Sequence, residues 1–154
     1  MAAIYKISED FYEDTFTLIA LHSSLEDYAL VYALNRCLKS NLKRTKFDLE
    51  IAKSGYFPIF EWRDQVNDRY YTLISNIGIK EQELVMGDLF QSQPSYSTPV
   101  LIPEYREVDY FFKVEHDEPD AEEVIFKSVL SIPRVITAYS LDANKLKSKN
   151  NLIF

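Results

Sequence analysis

The spacing of apolar residues changes from strand-like to helical within the first third of the chain. Residues 15–21 are apolar and β-branched, which is typical of a buried strand. Residues 25–42 repeat apolar side chains at helical spacing, with a polar stripe on the opposite side. Ser23 and Ser24 each begin a Ser-x-x-acid pattern, which favours a helix start at this point. This part of the chain is therefore predicted to form a strand followed by one helix that faces the core.

In the middle of the chain, apolar residues recur with the two-residue period that is typical of β-strands. Apolar and charged residues alternate over residues 47–51, as in a strand with one wet face. Two further apolar segments, residues 56–62 and 69–75, flank the turn-rich residues 64–68 and predict a hairpin. Pro58 has no backbone N–H to donate, so its strand is expected at an edge or beside a bulge.

A polar, proline-containing stretch separates the two halves of the pattern. Residues 88–100 show no periodicity, and we expect a mobile, exposed loop there. Alternation returns over residues 108–114. A helix is predicted to begin at Pro119 and to end before Pro133, and the residues expected to face inward are Ala121, Val124, Ile125, Ser128 and Val129. Residues 135–141 predict a last strand.

The order of these elements predicts the architecture. We expect residues 1–154 to form a single α+β domain whose mainly antiparallel sheet carries both helices on one face. The expected topology is a ferredoxin-like split β-α-β with an extra hairpin. The other sheet face would then be free of helices and rich in aromatic side chains, more than a soluble monomer usually exposes. A homo-oligomer, most simply a dimer, is therefore predicted.

Composition narrows the possible chemistry. The chain has 154 residues, and its three glycines lie too far apart for a nucleotide-binding glycine loop. Cys37, His22 and His116 are the only thiol and imidazole groups, one short of a four-ligand zinc site. No metal, no cofactor and no catalytic residue are predicted. The net charge of −7 disfavours binding to nucleic acid or to an anionic membrane.

The expected compartment is the cytoplasm. A single cysteine does not form an internal disulfide, and the first residues lack a basic region followed by an apolar one. The longest apolar runs fall well short of the roughly 20 residues that a membrane-spanning helix needs. We therefore expect neither a membrane partner nor an exported protein.

Residues 102–110 carry one specific resemblance. They read Ile-Pro-Glu-Tyr-Arg-Glu-Val-Asp-Tyr and fit every fixed position of the motif that names the IPExxxVDY family. Residues 28–35 and 145–154 also resemble that family of small, uncharacterised proteins of Bacteroidetes-type bacteria. The resemblance spans nearly the whole chain and implies no activity.

The motif itself allows two interpretations. Glu104 and Asp109 would bind a cation or transfer a proton if a cleft brought them together with Arg106 or His116. A small enzyme or ligand-binding protein is the corresponding hypothesis. Alternatively, Pro103 sets a turn and the two acids bond nearby amides or Arg106, which is the commoner use of carboxylates. The sequence favours this second interpretation, and with it a noncatalytic interaction or regulatory domain.

The C-terminal residues are unusually apolar. Leu152, Ile153 and Phe154 end the chain, whereas chain ends are usually polar and frayed. Leaving them in water forgoes about 1.5–3 kcal/mol for each large side chain. We expect them to dock, either on the core of their own chain or across a subunit interface.

Overall fold

The computed structural model describes residues 16–51, 55–79, 99–116 and 121–152. In these ranges the chain forms, in order, β1 (Phe16–Ser23), α1 (Asp27–Leu38), β2 (Lys43–Arg44), β3 (Leu49–Ile51), β4 (Gly55–Phe57), β5 (Ile59–Asp64), β6 (Arg69–Ser75), β7 (Tyr110–Glu115), α2 (Ala121–Leu130) and β8 (Val135–Leu141). Short 3-10 helices lie at Pro103–Tyr105, Ala143–Lys145 and Lys149–Leu152.

The main sheet is antiparallel. Its six strands lie in the order β2-β5-β6-β7-β1-β8, and β3 and β4 form a separate two-stranded sheet. The predicted hairpin is present as β5–β6, with Ile59 opposite Ile74 and Asp64 opposite Arg69. The last strand has the predicted bounds. The α+β class and the mainly antiparallel sheet are confirmed.

The connections around β1 explain how the two helices are placed. β7 and β8 both pair with β1 in antiparallel register, and α2 joins them, which is a split β-α-β unit. In contrast, α1 leads to the edge strand β2, four positions away from β1 in the sheet. The ferredoxin-like topology with an extra hairpin therefore stays a prediction.

Both helices pack on one face of the sheet, here called the helix face. The buried side chains on this face alternate along the strands and follow the inner stripes of the helices: Ile19, Leu21, Tyr71, Leu73, Tyr110, Phe112 and Val114 from the sheet, and Leu30, Val31, Leu34, Ala121, Ile125 and Val129 from the helices. Neither described helix is long and apolar enough to cross a membrane.

The opposite face, here called the loop face, is also covered. A second core forms between the sheet, the β3–β4 pair, residues 99–109 and residues 142–152, and it contains Leu18, Ala20, Phe57, Ile59, Ile74, Leu101, Ile102, Val108, Phe111, Leu146 and Leu152. The expectation of a bare aromatic face is therefore wrong. Irregular segments of the same chain bury it, so this face gives no reason for self-association.

The ends of α1 differ from the predicted ones. The helix begins after Glu26, whose side chain makes no capping hydrogen bond. The Ser23 hydroxyl instead donates to the Arg134 carbonyl and accepts from the Leu25 N–H, so it connects β1 to β8. At the other end Lys39 is left-handed, with φ 53°, which stops the helix before residue 42.

Of two further expectations, one differs from the structure and the other falls mostly outside the described residues. Val124 was expected to face inward from α2, but its side chain is 62% exposed. The loop that the sequence predicts near residues 88–100 lies outside the described residues, apart from Pro99 and Val100. Val100 forms an isolated bridge with Ile77, which brings the chain back to the sheet.

Candidate functional site

The loop of residues 99–109, here called the motif loop, enters β7 across the end of the sheet. Ile102 and Val108 are fully buried in the second core. Between them Pro103 occupies the start of a 3-10 turn that ends at Tyr105. The fixed φ of proline suits this position, and its missing N–H leaves no donor unpaired. The apolar motif residues therefore anchor the loop to the loop face.

Asn76, which follows β6, binds the motif loop through hydrogen bonds of its side chain and its backbone. Its Nδ2 donates to the Tyr105 and Val108 carbonyls at 2.9 and 2.8 Å, and its Oδ1 accepts from the Ile102 N–H at 2.9 Å. Its backbone also bonds Leu101 and Asp109. The residue is 0% exposed, so these bonds satisfy backbone groups that water cannot reach. Sequence reasoning missed Asn76, whose only signal is an amide at the end of an apolar strand.

Glu104 connects the motif loop to residues 142–152, here called the C-terminal segment. The Ser148 N–H and hydroxyl both donate to its carboxylate, at 2.8 and 2.7 Å. Partial desolvation acts to raise the pKa of Glu104, but these hydrogen bonds outweigh it and hold the pKa below its ordinary value. A carboxylate kept ionised and occupied by its own chain is suited to holding two segments together.

Asp109 makes an equivalent tie at the other end of the motif. Its Oδ2 accepts from the Ser23 N–H at 2.9 Å, beside the point where the register between β1 and β8 shifts. The next residue, Tyr110, donates from its hydroxyl to the Leu25 carbonyl at 2.7 Å. Desolvation, helped by nearby acids, raises the pKa of Tyr110 to about 12. Both side chains secure the segment that joins β1 to α1.

The four proposed binding residues do not share one cleft. Glu104 and Arg106 lie in the motif loop, and Asp109 enters β7, whereas His116 follows the far end of that strand. His116 lies seven positions after Asp109, about 20 Å or more at the rise of a β-strand. Glu104 and Asp109 also bond different segments, through Ser148 and Ser23. The structure therefore does not bring Glu104 and Asp109 together with His116.

The C-terminal segment lies on the loop face. Leu152 is 2% exposed and packs in the second core, so the first predicted alternative, docking on its own chain, holds for this residue. Asn151 Nδ2 donates to the Leu101 carbonyl at 2.8 Å. Ile153 and Phe154 lie outside the described residues. Leu152 thus contributes to the fold of the single chain.

A lysine is buried beneath this segment. Lys113 of β7 is 8% exposed, its Nζ donates to the Leu152 carbonyl at 3.3 Å, and it lies 4.7 Å from the centre of the Phe16 ring. Burial lowers the pKa of Lys113. The ammonium group is held by a carbonyl and an aromatic ring, which compensate part of its lost hydration.

A second polar cluster lies at the His116 end of the sheet. The Tyr70 hydroxyl donates to Glu61, and the Arg63 guanidinium lies 5.1 Å from the centre of the Tyr70 ring. Desolvation and the Glu61 carboxylate raise the pKa of Tyr70 to about 12. Arg63, Tyr70 and His116 border an open depression of about 480 Å³. Both cationic and anionic side chains line this depression, so its charge does not favour a ligand of one sign.

The remaining candidate residues have structural partners. His22 Nε2 lies 3.0 Å from the Tyr139 hydroxyl, across the β1–β8 pair. Cys37 is half-buried on α1, and burial raises the pKa of its thiol, which makes it less reactive. Among the described residues, no three His, Cys, Asp or Glu side chains are grouped closely enough to hold a metal ion.

Comparison with known proteins adds no assignment. No family model, no curated protein and no solved structure matches this chain. The resemblance of residues 102–110 to the IPExxxVDY family therefore stays a prediction. The structure gives its fixed positions physical roles, because Ile102 and Val108 pack, and Glu104, Asp109 and Tyr110 bond distant segments.

Proposed function

We propose that this chain is a noncatalytic interaction domain of the cytoplasm that associates with itself as a homodimer. The observation that supports the proposal is the difference between the two edges of the main sheet. β2, at one edge, is two residues long, and both of them, Lys43 and Arg44, are charged and exposed. Short, cationic edge strands resist pairing with another chain.

The other edge lacks this protection. β8 spans seven residues, Val135–Leu141, without a charged residue or a proline. In the described part of the chain it ends the sheet. Ile136 is 76% exposed, and Thr137 and Ser140 are exposed too. A long, uncharged edge strand has a row of backbone donors and acceptors suited to pairing with another strand.

The use of the motif also supports a noncatalytic role. Glu104 and Asp109, the best acid–base candidates in the sequence, accept hydrogen bonds from Ser148 and Ser23 of the same chain. Nothing in this geometry favours the rival hypothesis of a carboxylate cleft. The resemblance to the IPExxxVDY family belongs to the same proposal and assigns no activity to it.

The mass of the protein in solution tests the proposal. Pairing through one strand edge makes a small interface, so we expect a weak dimer that forms between about 1 μM and several hundred micromolar. Sedimentation or light scattering should show the mass rising from that of the 18.0 kDa monomer to twice that value. A monomer at the highest concentration would refute self-association.

A matched pair of variants locates the contact. Ile136→Lys adds a charge to the β8 edge and should keep the chain monomeric, because a strand edge that carries lysine resists pairing. Val66→Lys makes the same change in the β5–β6 turn, where Val66 is 91% exposed, and should leave the dimer intact. Equal effects of the two variants would place the contact elsewhere.

A further inference from the structure

We infer that two copies pair through residues 137–141 of β8, antiparallel about a two-fold axis perpendicular to the sheet, with Tyr139 of one copy opposite Tyr139 of the other. This inference rests on the proposed self-association and specifies its register. Three features determine that register: the direction of the backbone groups, the regular length of the strand and the symmetry of a dimer.

The backbone direction in β1 follows from its contact with the motif loop. The Leu21 carbonyl accepts a hydrogen bond from the Asp109 N–H, just before β7, so the backbone groups of Leu21 face β7. The backbone groups of successive residues in a strand point to opposite sides. Those of Ala20 and His22 therefore face β8.

The same alternation identifies the outward groups of β8. Tyr139 and Thr137 pair with the two β1 residues that face β8, so they direct their own N–H and C=O groups to β1. The N–H and C=O groups of Ala138 and Ser140 then point to the outer edge. β8 is the last strand of the sheet that the described residues form, so this edge is where a further strand would bind.

The regular part of β8 is short. Ile136 has no opposite residue in β1 and forms a bulge, which interrupts the outer edge. After Leu141, the Asp142 carbonyl accepts from the Lys145 N–H, so the chain turns there. Regular pairing with a second strand is therefore limited to residues 137–141.

Dimer symmetry then selects one register. A two-fold axis perpendicular to the sheet keeps equivalent faces on one side, so residues of the same face lie opposite each other. With the axis at Tyr139, all of residues 137–141 find partners within the regular part of the second copy. Ala138 lies opposite Ser140 of the second copy, and the two such pairs use every outward group in four hydrogen bonds. An axis at Ala138 would place the bulge opposite Ser140, and an axis at Ser140 would need the turn residue Asp142.

The side chains of β8 suit this register. The strand contains no charged residue, so two copies that each carry −7 gain no like-charge pair within it. Tyr139 meets its copy in a pair without hydrogen bonds, where side chains are closest, and aromatic pairs across antiparallel strands are stabilising. Ala138 and Ser140 are small and do not obstruct the approach of the second strand.

Cysteine cross-linking measures the register. In a chain that carries Cys37→Ser, the substitution Tyr139→Cys places two thiols opposite each other with Cα atoms about 4.5 Å apart, within the range of a disulfide. We expect mild oxidation to give a covalent dimer of twice the 18.0 kDa mass. The control Thr137→Cys changes the same strand, but its Cα would lie about 14 Å from its copy and should not cross-link.

Proline substitution tests the backbone bonds separately. The Ser140 N–H points outward, so Ser140→Pro removes a donor of the dimer without removing a bond to β1. It should raise the dissociation constant at least tenfold and change the melting temperature little. Tyr139→Pro is the matched control, because it removes a bond to β1 and should lower the melting temperature.

The outcomes separate the two proposals. A wild-type chain that stays monomeric would overturn the proposed function itself. A wild-type dimer whose Tyr139→Cys variant does not cross-link, or whose Thr137→Cys variant cross-links equally well, would overturn only the inferred register. A dimer that Ser140→Pro leaves unchanged would do the same. Thermal melts of all variants distinguish loss of fold from loss of association.

Discussion

The two faces of the sheet are covered by different kinds of structure. On the helix face, α1 and α2 bring apolar stripes to the strands, and the covering segments bond their own backbone groups. On the loop face, the motif loop and the C-terminal segment cover the apolar side chains of the strands with little regular structure. Both faces bury large apolar side chains, and on the loop face side-chain hydrogen bonds from Asn76, Glu104 and Asn151 also hold the covering segments.

This difference has a physical cause. A helix satisfies its backbone N–H and C=O groups internally, so it needs only apolar contact to cover a sheet. An irregular segment leaves those groups without partners when it is buried, and each unpaired group costs about 1–3 kcal/mol. Side chains must therefore supply the partners. Asn76, Asn151 and Glu104 do so at the motif loop and the C-terminal segment.

The largest effect is expected at Asn76. Asn76→Ala leaves the Ile102 N–H and the Val108 carbonyl without their partner and removes one of two donors to the Tyr105 carbonyl. It should lower the free energy of unfolding by about 4 kcal/mol. Denaturant unfolding measures the loss.

Asn35 is the matched control for Asn76. Its side chain also bonds three groups, in Ser40 and Leu42 at the end of α1, but it is only half-buried, so water can replace the amide. Asn35→Ala should cost about 1–2 kcal/mol. Equal losses at both positions would contradict the special need of the loop face for buried polar partners.

An intermediate effect is expected at Leu152. Leu152→Ala removes a buried side chain from the loop face and should cost about 2–4 kcal/mol. The described part of this segment contains only short 3-10 helices, so we expect local release. Hydrogen exchange should speed up in residues 143–152 while α1 keeps its protection.

Leu34 provides the comparison on the helix face. It is fully buried on α1, and Leu34→Ala removes the same number of atoms from the other core. Its loss should appear as faster exchange throughout the main sheet, because the helix joins many elements. If Leu152→Ala also raised hydrogen exchange throughout the main sheet, the segments on the loop face would be coupled to the sheet as strongly as α1 is. That result would contradict the difference between the two faces.

The smallest effect is expected at Glu104 and depends on pH. Its pKa is lower in the folded chain than the ordinary value of 4.5, so its stabilisation is present above that value and disappears as the pH falls through the native pKa. Because the carboxylate is exposed, Glu104→Gln should cost less than about 1 kcal/mol at pH 7. The difference from the wild type should vanish in acid.

Glu107, an exposed acid in the same turn, is the control for Glu104. Unfolding curves of Glu107→Gln between pH 7 and acid should run parallel to those of the wild type. A difference for Glu104→Gln that persisted unchanged in acid would show that the tie to Ser148 does not depend on the charge of the carboxylate.

The helix face was largely predictable from the sequence. Leu30, Leu34, Ile125 and Val129 repeat at helical spacing, and this local pattern is enough to identify which sides of the helices are buried. The candidate motif was also visible, but its roles were not. Glu104 bonds a residue 44 positions away, and Asp109 bonds one 86 positions away. No local pattern contains such pairings.

The sequence by itself determined the α+β class, the alternation of the strands and the bounds of β8, because these follow from the period of apolar residues along a short stretch of chain. Only the tertiary structure decided what covers the loop face and which strands lie at the two edges of the sheet that the described residues form. Irregular segments have no period, and the burial of Asn76 depends on a loop 26 to 32 residues further along the chain. Long-range pairing of backbone groups, which propensity and spacing do not encode, therefore decides the part of the molecule that carries the motif.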